Sequence, residues 1–150
     1  MWPFSNKPLS LGSFPMERGW SLGQGANNGK PMFVRFHAGA KPYAAHPDLP
    51  FRLGVTVPLL NPDEHGLPIK AESKTLDEIE DALRDSLQPN AAGFLVLVIT
   101  TSGMREFVLY VRNPEVANAA VVAAQKCAPK REIQHYVEQD GKWETYHEFA

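Results

Sequence analysis

The pattern of apolar residues in this 150-residue chain predicts an α+β fold. Segments in which apolar and polar residues alternate, as they do in half-buried strands, are interrupted by two segments with helical periodicity. Phe94–Ile99 is short and apolar at every position, which is typical of a central strand. The length suits one domain of roughly 100–200 residues, so residues 1–150 are predicted to form a single domain.

A β-hairpin is predicted near the N-terminus, with strands near 19–24 and 31–37. Asn28-Gly29 lies between them, and this pair readily takes the positive φ angles that a two-residue hairpin turn requires. Pro31 stands at the start of the second strand, where a missing N–H donor is tolerated. Residues 1–18 are a candidate for a loosely ordered N-terminal segment.

The middle of the chain predicts a strand followed by a helix. Apolar and polar residues alternate from Phe51 to Val57, and Thr75–Glu78 has the sequence of a capping box, which predicts a helix over 76–87. An apolar stripe on this helix is expected to face the core; it contains Leu76, Ile79, Leu83 and Leu87. The acidic residues are interpreted as a solvated face; they are Asp77, Glu80, Asp81 and Asp85.

The last third of the chain repeats the alternation of strands and helices. A turn at Ser102-Gly103 leads to a strand over 105–111, and Asn113 followed by Pro114 predicts the start of a helix over 114–127. A final strand is predicted over 133–138. A short helix capped by Asp140 is then expected to carry three aromatic residues, namely Trp143, Tyr146 and Phe149.

The order of elements over residues 51–139 is βαββαβ, which is the ferredoxin-like plan of a sheet with both helices on one face. The N-terminal β-hairpin and the short C-terminal helix are additions to this plan. Because the strand at 94–99 is apolar on both sides, the second face of the sheet needs a cover. Three covers remain open: the hairpin, the aromatic C-terminal helix, or a second copy of the chain, which would make a homodimer through the sheet.

Charge and cysteine content bear on partners and location. The formal net charge is −2, whereas a general nucleic-acid binder carries a basic patch, so a nucleic-acid partner is not expected. Cys127 is the single cysteine, which excludes an internal disulfide and favours a reducing compartment. The N-terminus does not read as a signal peptide, and no stretch approaches the roughly 20 apolar residues of a membrane span. We therefore expect a cytoplasmic protein without a membrane partner.

The sequence contains no pattern that indicates a catalytic centre. The glycines between Gly23 and Gly29 lack the Lys-Ser/Thr ending of a phosphate-binding loop, and the histidines lack the spacing of a helical metal site. We expect no catalytic residue, no metal and no cofactor. Arginines on strands can pair with a carboxylate or bind an anion, and strand or C-terminal aromatics can cover the core or contact a partner. The binding candidates are Trp20, Arg35, Arg105, Tyr110, His135, Trp143 and Tyr146.

These observations favour a non-enzymatic cytoplasmic module that binds or regulates a protein through its sheet edge or its aromatic end segment. The alternative is a hydrolase-type enzyme with a pocket near Arg105 and His135. A deep pocket at which these two residues converge would favour the enzyme.

Three sequence pieces together resemble a bacterial domain-of-unknown-function family, number 695. They are the stretch from Trp20 to Met32, the hairpin Ile99–Phe107 and the closing Asp140–Tyr146. The resemblance runs from Trp20 to the end of the chain. The family is similar in plan to domains that resemble the protein regulator of ribonuclease E activity, which are ferredoxin-like and act by binding a protein. The resemblance therefore implies an interaction module and assigns no residue a role.

Overall fold

Six strands and three α-helices make up residues 8–150, the part of the chain that this computed structural model describes. The strands are β1 (Trp20–Asn27), β2 (Lys30–His37), β3 (Phe51–Pro58), β4 (Gly93–Thr101), β5 (Met104–Val111) and β6 (Gln134–Gln139). The helices are α1 (Ser73–Leu87), α2 (Pro114–Cys127) and α3 (Glu144–Phe149). None of the described helices has the length and apolar character needed to cross a membrane.

The strands form one antiparallel sheet in the order β1-β2-β4-β5-β3-β6. The predicted α+β class is therefore confirmed. Strand β2 of the hairpin pairs with β4, so the hairpin widens the sheet by two strands and does not cover it. Among the described strands, β1 and β6 form the two edges.

One face of the sheet, called the helix face below, is covered by α1 and α2. The predicted stripe of α1 is confirmed, because Leu76, Ile79, Leu83 and Leu87 pack in this core with side chains of β3, β4 and β5. Helix α2 contributes mainly small side chains to the same core, which lets its backbone lie close to the sheet; they are Ala117, Ala120 and Ala124.

The opposite face, called the second face below, is covered by three segments of the same chain. The buried cover comes from Phe14, from the segment between β2 and β3 (Ala40, Tyr43 and Leu49), and from Trp143 and Tyr146. The aromatic C-terminal segment is thus part of the cover. Phe14 lies in the predicted loosely ordered segment, yet only 5% of it is exposed. Residues 1–7 of that predicted segment lie outside the described residues.

Two kinds of local signal in the sequence are confirmed. Asn28 and Gly29 have φ angles of 53° and 81°, and Ser102 and Gly103 have 52° and 77°, as the two predicted turns require. Asn113 caps α2, because its side-chain oxygen accepts a hydrogen bond from the Val116 N–H at 2.9 Å.

The capping box predicted at Thr75–Glu78 is wrong. Helix α1 begins at Ser73, so Thr75 lies inside it and makes no cap. A 3-10 turn over Lys70–Glu72 leads directly into the helix and moves its start upstream. The buried Glu72 carboxylate holds this turn in place, since it accepts from the Leu60 N–H at 2.8 Å and pairs with Arg131 at 3.1 Å.

Asp140 fixes the C-terminal segment to the second face. One carboxylate oxygen accepts the N–H of Glu144 at 2.8 Å, as expected of a cap, and the other accepts from the Tyr110 hydroxyl at 2.7 Å and from Arg52 at 2.8 Å. Next to it, the Trp143 ring stacks on Tyr110 with ring centres 4.2 Å apart. Burial alone would raise the pKa of Asp140, but these donors outweigh it and lower the pKa.

We predict that Asp140→Asn lowers the free energy of unfolding at neutral pH by about 1–3 kcal/mol, the usual cost of losing hydrogen bonds to a charged group. Because the pKa of Asp140 is lowered in the folded state, its contribution is present above the ordinary carboxyl pKa of 3.8 and is lost as the pH falls through the lowered value. The free energies of unfolding of wild type and variant, measured in urea, should therefore become equal as the pH falls. The matched control is the exposed Asp85→Asn; a difference that does not narrow in acid would contradict the prediction.

Tyr136 of β6 lies across Gly54 of β3 on the second face. Its hydroxyl donates to Glu106 at 2.6 Å, and a Cβ atom at residue 54 would come within 2.2 Å of the Tyr136 side chain. Burial and the neighbouring Glu106 raise the pKa of Tyr136 to about 12, so the hydroxyl keeps its proton at neutral pH. The absent side chain of Gly54 is what leaves room for this ring.

We predict that Gly54→Ala lowers the free energy of unfolding by about 1–3 kcal/mol, because the ring must move and give up its bond to Glu106. In a Tyr136→Ala background the same substitution should cost much less. Urea unfolding of the four proteins in this cycle measures the coupling. Gly141→Ala is the control, since a Cβ there would meet nothing within 4 Å. An equal cost of Gly54→Ala in both backgrounds would refute the explanation.

Candidate functional site

A pocket of about 380 Å³ opens on the helix face, where the β1-β2 hairpin extends past helix α1. It is called the Arg105 pocket below. Its lining residues are Leu22, Phe33 and Arg35 from the hairpin, Ser73, Asp77 and Glu80 from α1, and Val98, Thr100 and Arg105 from the central strands.

Strand geometry brings two of the predicted arginines to this pocket. Phe107 and Leu109 of β5 point into the helix-face core, and Arg105 lies on the same face because side chains alternate along a strand. Arg35 pairs with Val98 in the sheet register, and Arg105 pairs with Thr100. The two guanidinium groups therefore lie on one face, two strands apart.

Arg35 is neutralised by a buried carboxylate from α1. Its two terminal nitrogens bind the two oxygens of Glu80, one of them at 3.2 Å, and Glu80 is only 6% exposed. Arg84 also approaches Glu80, at 3.7 Å, and the guanidinium groups of Arg35 and Arg84 lie 5.2 and 5.5 Å from the centre of the Trp20 ring. The cluster ties the hairpin to α1.

The interpretation of Glu80 as part of a solvated face is wrong. Glu80 lies beside the apolar stripe of α1, one turn after Leu76 and one turn before Arg84. The four-residue spacing from Arg84 is the sequence signal that could have indicated an ion pair. Asp77, Asp81 and Asp85 are exposed, as expected.

Arg105 has no such counter-charge. Its Nε donates to the Thr100 hydroxyl at 2.9 Å, and it forms no ion pair with any of the described residues. Burial and the positive charge of Arg35 lower the pKa of Arg105. A half-buried guanidinium anchored on one side is the feature of this pocket with the clearest chemical use.

The remaining predicted binding residues lie elsewhere. Tyr110, Trp143 and Tyr146 are completely buried in the cover of the second face, so they act as core residues and present no surface to a partner. Trp20 is partly buried beneath Arg35 and Arg84 and lies 4.7 Å from the ring of His37.

His135 does not join Arg105. It is exposed on β6, with its Nε2 3.2 Å from the Asn118 side-chain oxygen of α2, and it is not among the residues that line the Arg105 pocket. The shared pocket that the hydrolase alternative requires is therefore not formed at Arg105. Within residues 8–150, no group of three His, Cys, Asp or Glu residues is placed to hold a metal ion.

Comparison with known proteins identifies a family. Residues 18–150 match the model of the family of unknown function DUF695. No curated protein and no solved structure matches the chain. The similarity in plan to domains resembling the regulator of ribonuclease E activity stays a prediction.

We predict that Glu80→Gln lowers the free energy of unfolding by about 2–4 kcal/mol, because it leaves Arg35 and Arg84 beside a buried group without charge. The loss of stability is smaller than for a fully buried pair, because the side chain of Arg35 is 35% exposed and water can solvate its charge. Asp81→Asn, on the exposed side of the same helix, should change the free energy by less than about 0.5 kcal/mol. Urea unfolding of both variants measures the difference, and equal effects would show that the Glu80 cluster does not stabilise the fold.

Proposed function

We propose that this chain, which belongs to the DUF695 family, is a cytoplasmic module that binds another protein at the β1 edge of its sheet. The observation that carries the proposal is that β1 is an unprotected edge strand. It has eight residues, Trp20–Asn27, and none of them is charged. Leu22 on this strand is 75% exposed. Edge strands are commonly blocked by lysine, proline or a bulge, and β1 has none of these.

Hydrogen-bonding groups along β1 are available to an added strand. In a two-residue hairpin the residues next to the turn, here Asn27 and Lys30, exchange both backbone hydrogen bonds. Every second residue back from Asn27 is likewise hydrogen-bonded to β2. The residues in between, Leu22, Gln24 and Ala26, therefore point their N–H and C=O groups to the open side. No described strand pairs with that side of β1.

The other edge is a poorer template. Strand β6 has six residues, and its second-face residue Glu138 is bound by Arg52 of the neighbouring strand at 2.6 Å. An incoming strand would meet this charged pair next to the Tyr136–Glu106 hydrogen bond. The contrast supports β1 as the binding edge.

The occupant we propose is an extended, weakly charged segment of a partner protein, added to β1 as a seventh strand. Two β1 edges paired with each other would bury little area beside the roughly 1,600 Å² of a standard stable interface. The chain's own segments already cover the second face, which supports a partner segment over a stable homodimer through that face.

We extend the proposal to the arrangement of the sheet and to the location of the protein. The sheet order β4-β5-β3-β6, with α1 and α2 packed on one face, supports a ferredoxin-like arrangement for residues 51–139. The thiol of Cys127 is free, which supports a reducing compartment such as the cytoplasm.

The proposal is tested by photo-crosslinking in cells of the source organism. Benzoylphenylalanine is incorporated at residue 24 on the open side of β1 and, as a control, at the exposed residue 122 of α2. We expect a partner segment to crosslink at residue 24 and not at residue 122. Crosslinks that join only two copies of the chain, or equal products at both residues, would overturn the proposal.

The crosslinked segment, made as a synthetic peptide, is then titrated into the purified full chain. Leu22→Lys should weaken its binding at least tenfold, because a charge on the edge opposes strand addition. Val122→Lys makes the same exchange at another exposed apolar residue and should have no effect. Amide exchange of Leu22, Gln24 and Ala26 should slow when the peptide binds; unchanged exchange would show that it binds elsewhere.

A further inference from the structure

We propose that the Arg105 pocket binds a small organic molecule through a single carboxylate group, which Arg105 holds. This inference is independent of the partner at β1. It rests on the side chains of the pocket, on their charges and on the anchoring of Arg105.

The guanidinium of Arg105 is held in one orientation by a hydrogen bond, and its two terminal nitrogens have hydrogen-bond donors left to offer. The Thr100 hydroxyl accepts from Nε at 2.9 Å, and no described residue accepts a hydrogen bond from the two terminal nitrogens. A guanidinium presents a flat fork of donors that matches the two oxygens of a carboxylate. Because Thr100 already fixes one side, a carboxylate in the pocket would meet donors that need little rearrangement.

The charges around Arg105 favour a ligand with one negative charge. Arg35 and Arg84 share the single carboxylate of Glu80. Asp77 is exposed at the start of α1 and lines the same pocket. Arg35, Arg84 and Arg105 together with Asp77 and Glu80 sum to one positive charge, so a dianion such as phosphate would keep one negative charge uncompensated beside the two carboxylates.

The shape of the pocket suits a small molecule with a hydrocarbon part. Leu22, Phe33 and Val98 supply apolar surface beside the charged groups. Its volume of about 380 Å³ is at the small end of the roughly 300–1,000 Å³ that ligand pockets occupy. Leu22 and Asp77 in the lining are exposed, so a ligand can enter without unfolding the core.

The test is a titration of the full chain with a small carboxylate in a buffer low in chloride. Binding is measured by calorimetry and by the NMR signal of the Arg105 Nε–H group. The probe is isovalerate, a five-carbon monocarboxylate. Isoamyl alcohol has the same carbon skeleton without the carboxylate, and inorganic phosphate is the anion without the hydrocarbon. We expect saturable binding of isovalerate with a shift of the Arg105 signal, and at least tenfold weaker binding of the other two.

Matched variants separate the guanidinium from general surface charge. Arg105→Met keeps an unbranched apolar stem without the guanidinium and should weaken the binding of isovalerate at least tenfold. Arg112→Met removes another arginine, one that lines a different pocket, and should change binding by less than twofold. Thr100→Val keeps the charge of Arg105 but removes its anchor, so it should weaken isovalerate several-fold while Arg105 stays intact.

Three results would overturn the proposal. They are the absence of saturable isovalerate binding to the wild type, binding that survives Arg105→Met, and phosphate binding tighter than isovalerate. If Arg105→Met does not fold, Thr100→Val and the Arg105 signal of the wild type still decide the matter. These results leave the β1 edge untouched, because the crosslinking experiment uses different residues and a different ligand.

Discussion

The constraint on which the rest of the structure depends is the central strand β4, whose residues from Gly93 to Val98 are all buried. An irregularity between Leu95 and Leu97 breaks its alternation, so Val96 and Leu97 both pack toward the second face while Leu95 and Val98 pack under the helices. A strand of this kind requires an apolar layer on each side. Helices α1 and α2 provide one layer, and the chain segments around Phe14, Tyr43 and Trp143 provide the other.

Those features of the fold that depend on neighbouring residues could be predicted from the sequence. The Asn28-Gly29 turn and the Asn113 cap need only a few residues with the right dihedral preferences, and both form. Glu72 was not predictable in the same way, because Arg131 lies 59 residues away in the chain. For Glu80 the spacing indicates only the contact with Arg84, since Arg35 lies 45 residues away. The capping box failed for this reason: Glu72 and Arg131 hold a turn upstream of Thr75, and this long-range pairing decides where α1 begins.

The candidate site shows the same division between local and distant information. Period-two alternation is enough to place Arg105 on the helix face once the strand is predicted. Whether it lies in an open pocket depends on where the first turns of α1 lie relative to the hairpin, and no pattern in the sequence gives that distance. For Trp143, the sequence left core cover and partner contact open. Its indole N–H donates to the Leu49 carbonyl at 3.1 Å from inside the protein, which makes it a core residue.

The hairpin creates both proposed binding features for one physical reason. It adds two strands to the sheet beyond the width that α1 covers, so its outer strand keeps an open edge and its inner face leaves a pocket beside the helix. Arg35 and Arg84 bind Glu80 and lie over Trp20, and these contacts hold the hairpin against α1. They therefore fix the position of the β1 edge relative to the pocket. Leu22 belongs to both, since it lines the pocket and its backbone groups lie on the open edge. The two features remain distinct, because a strand at β1 would contact backbone groups of Leu22, whereas a carboxylate in the pocket would contact the guanidinium of Arg105.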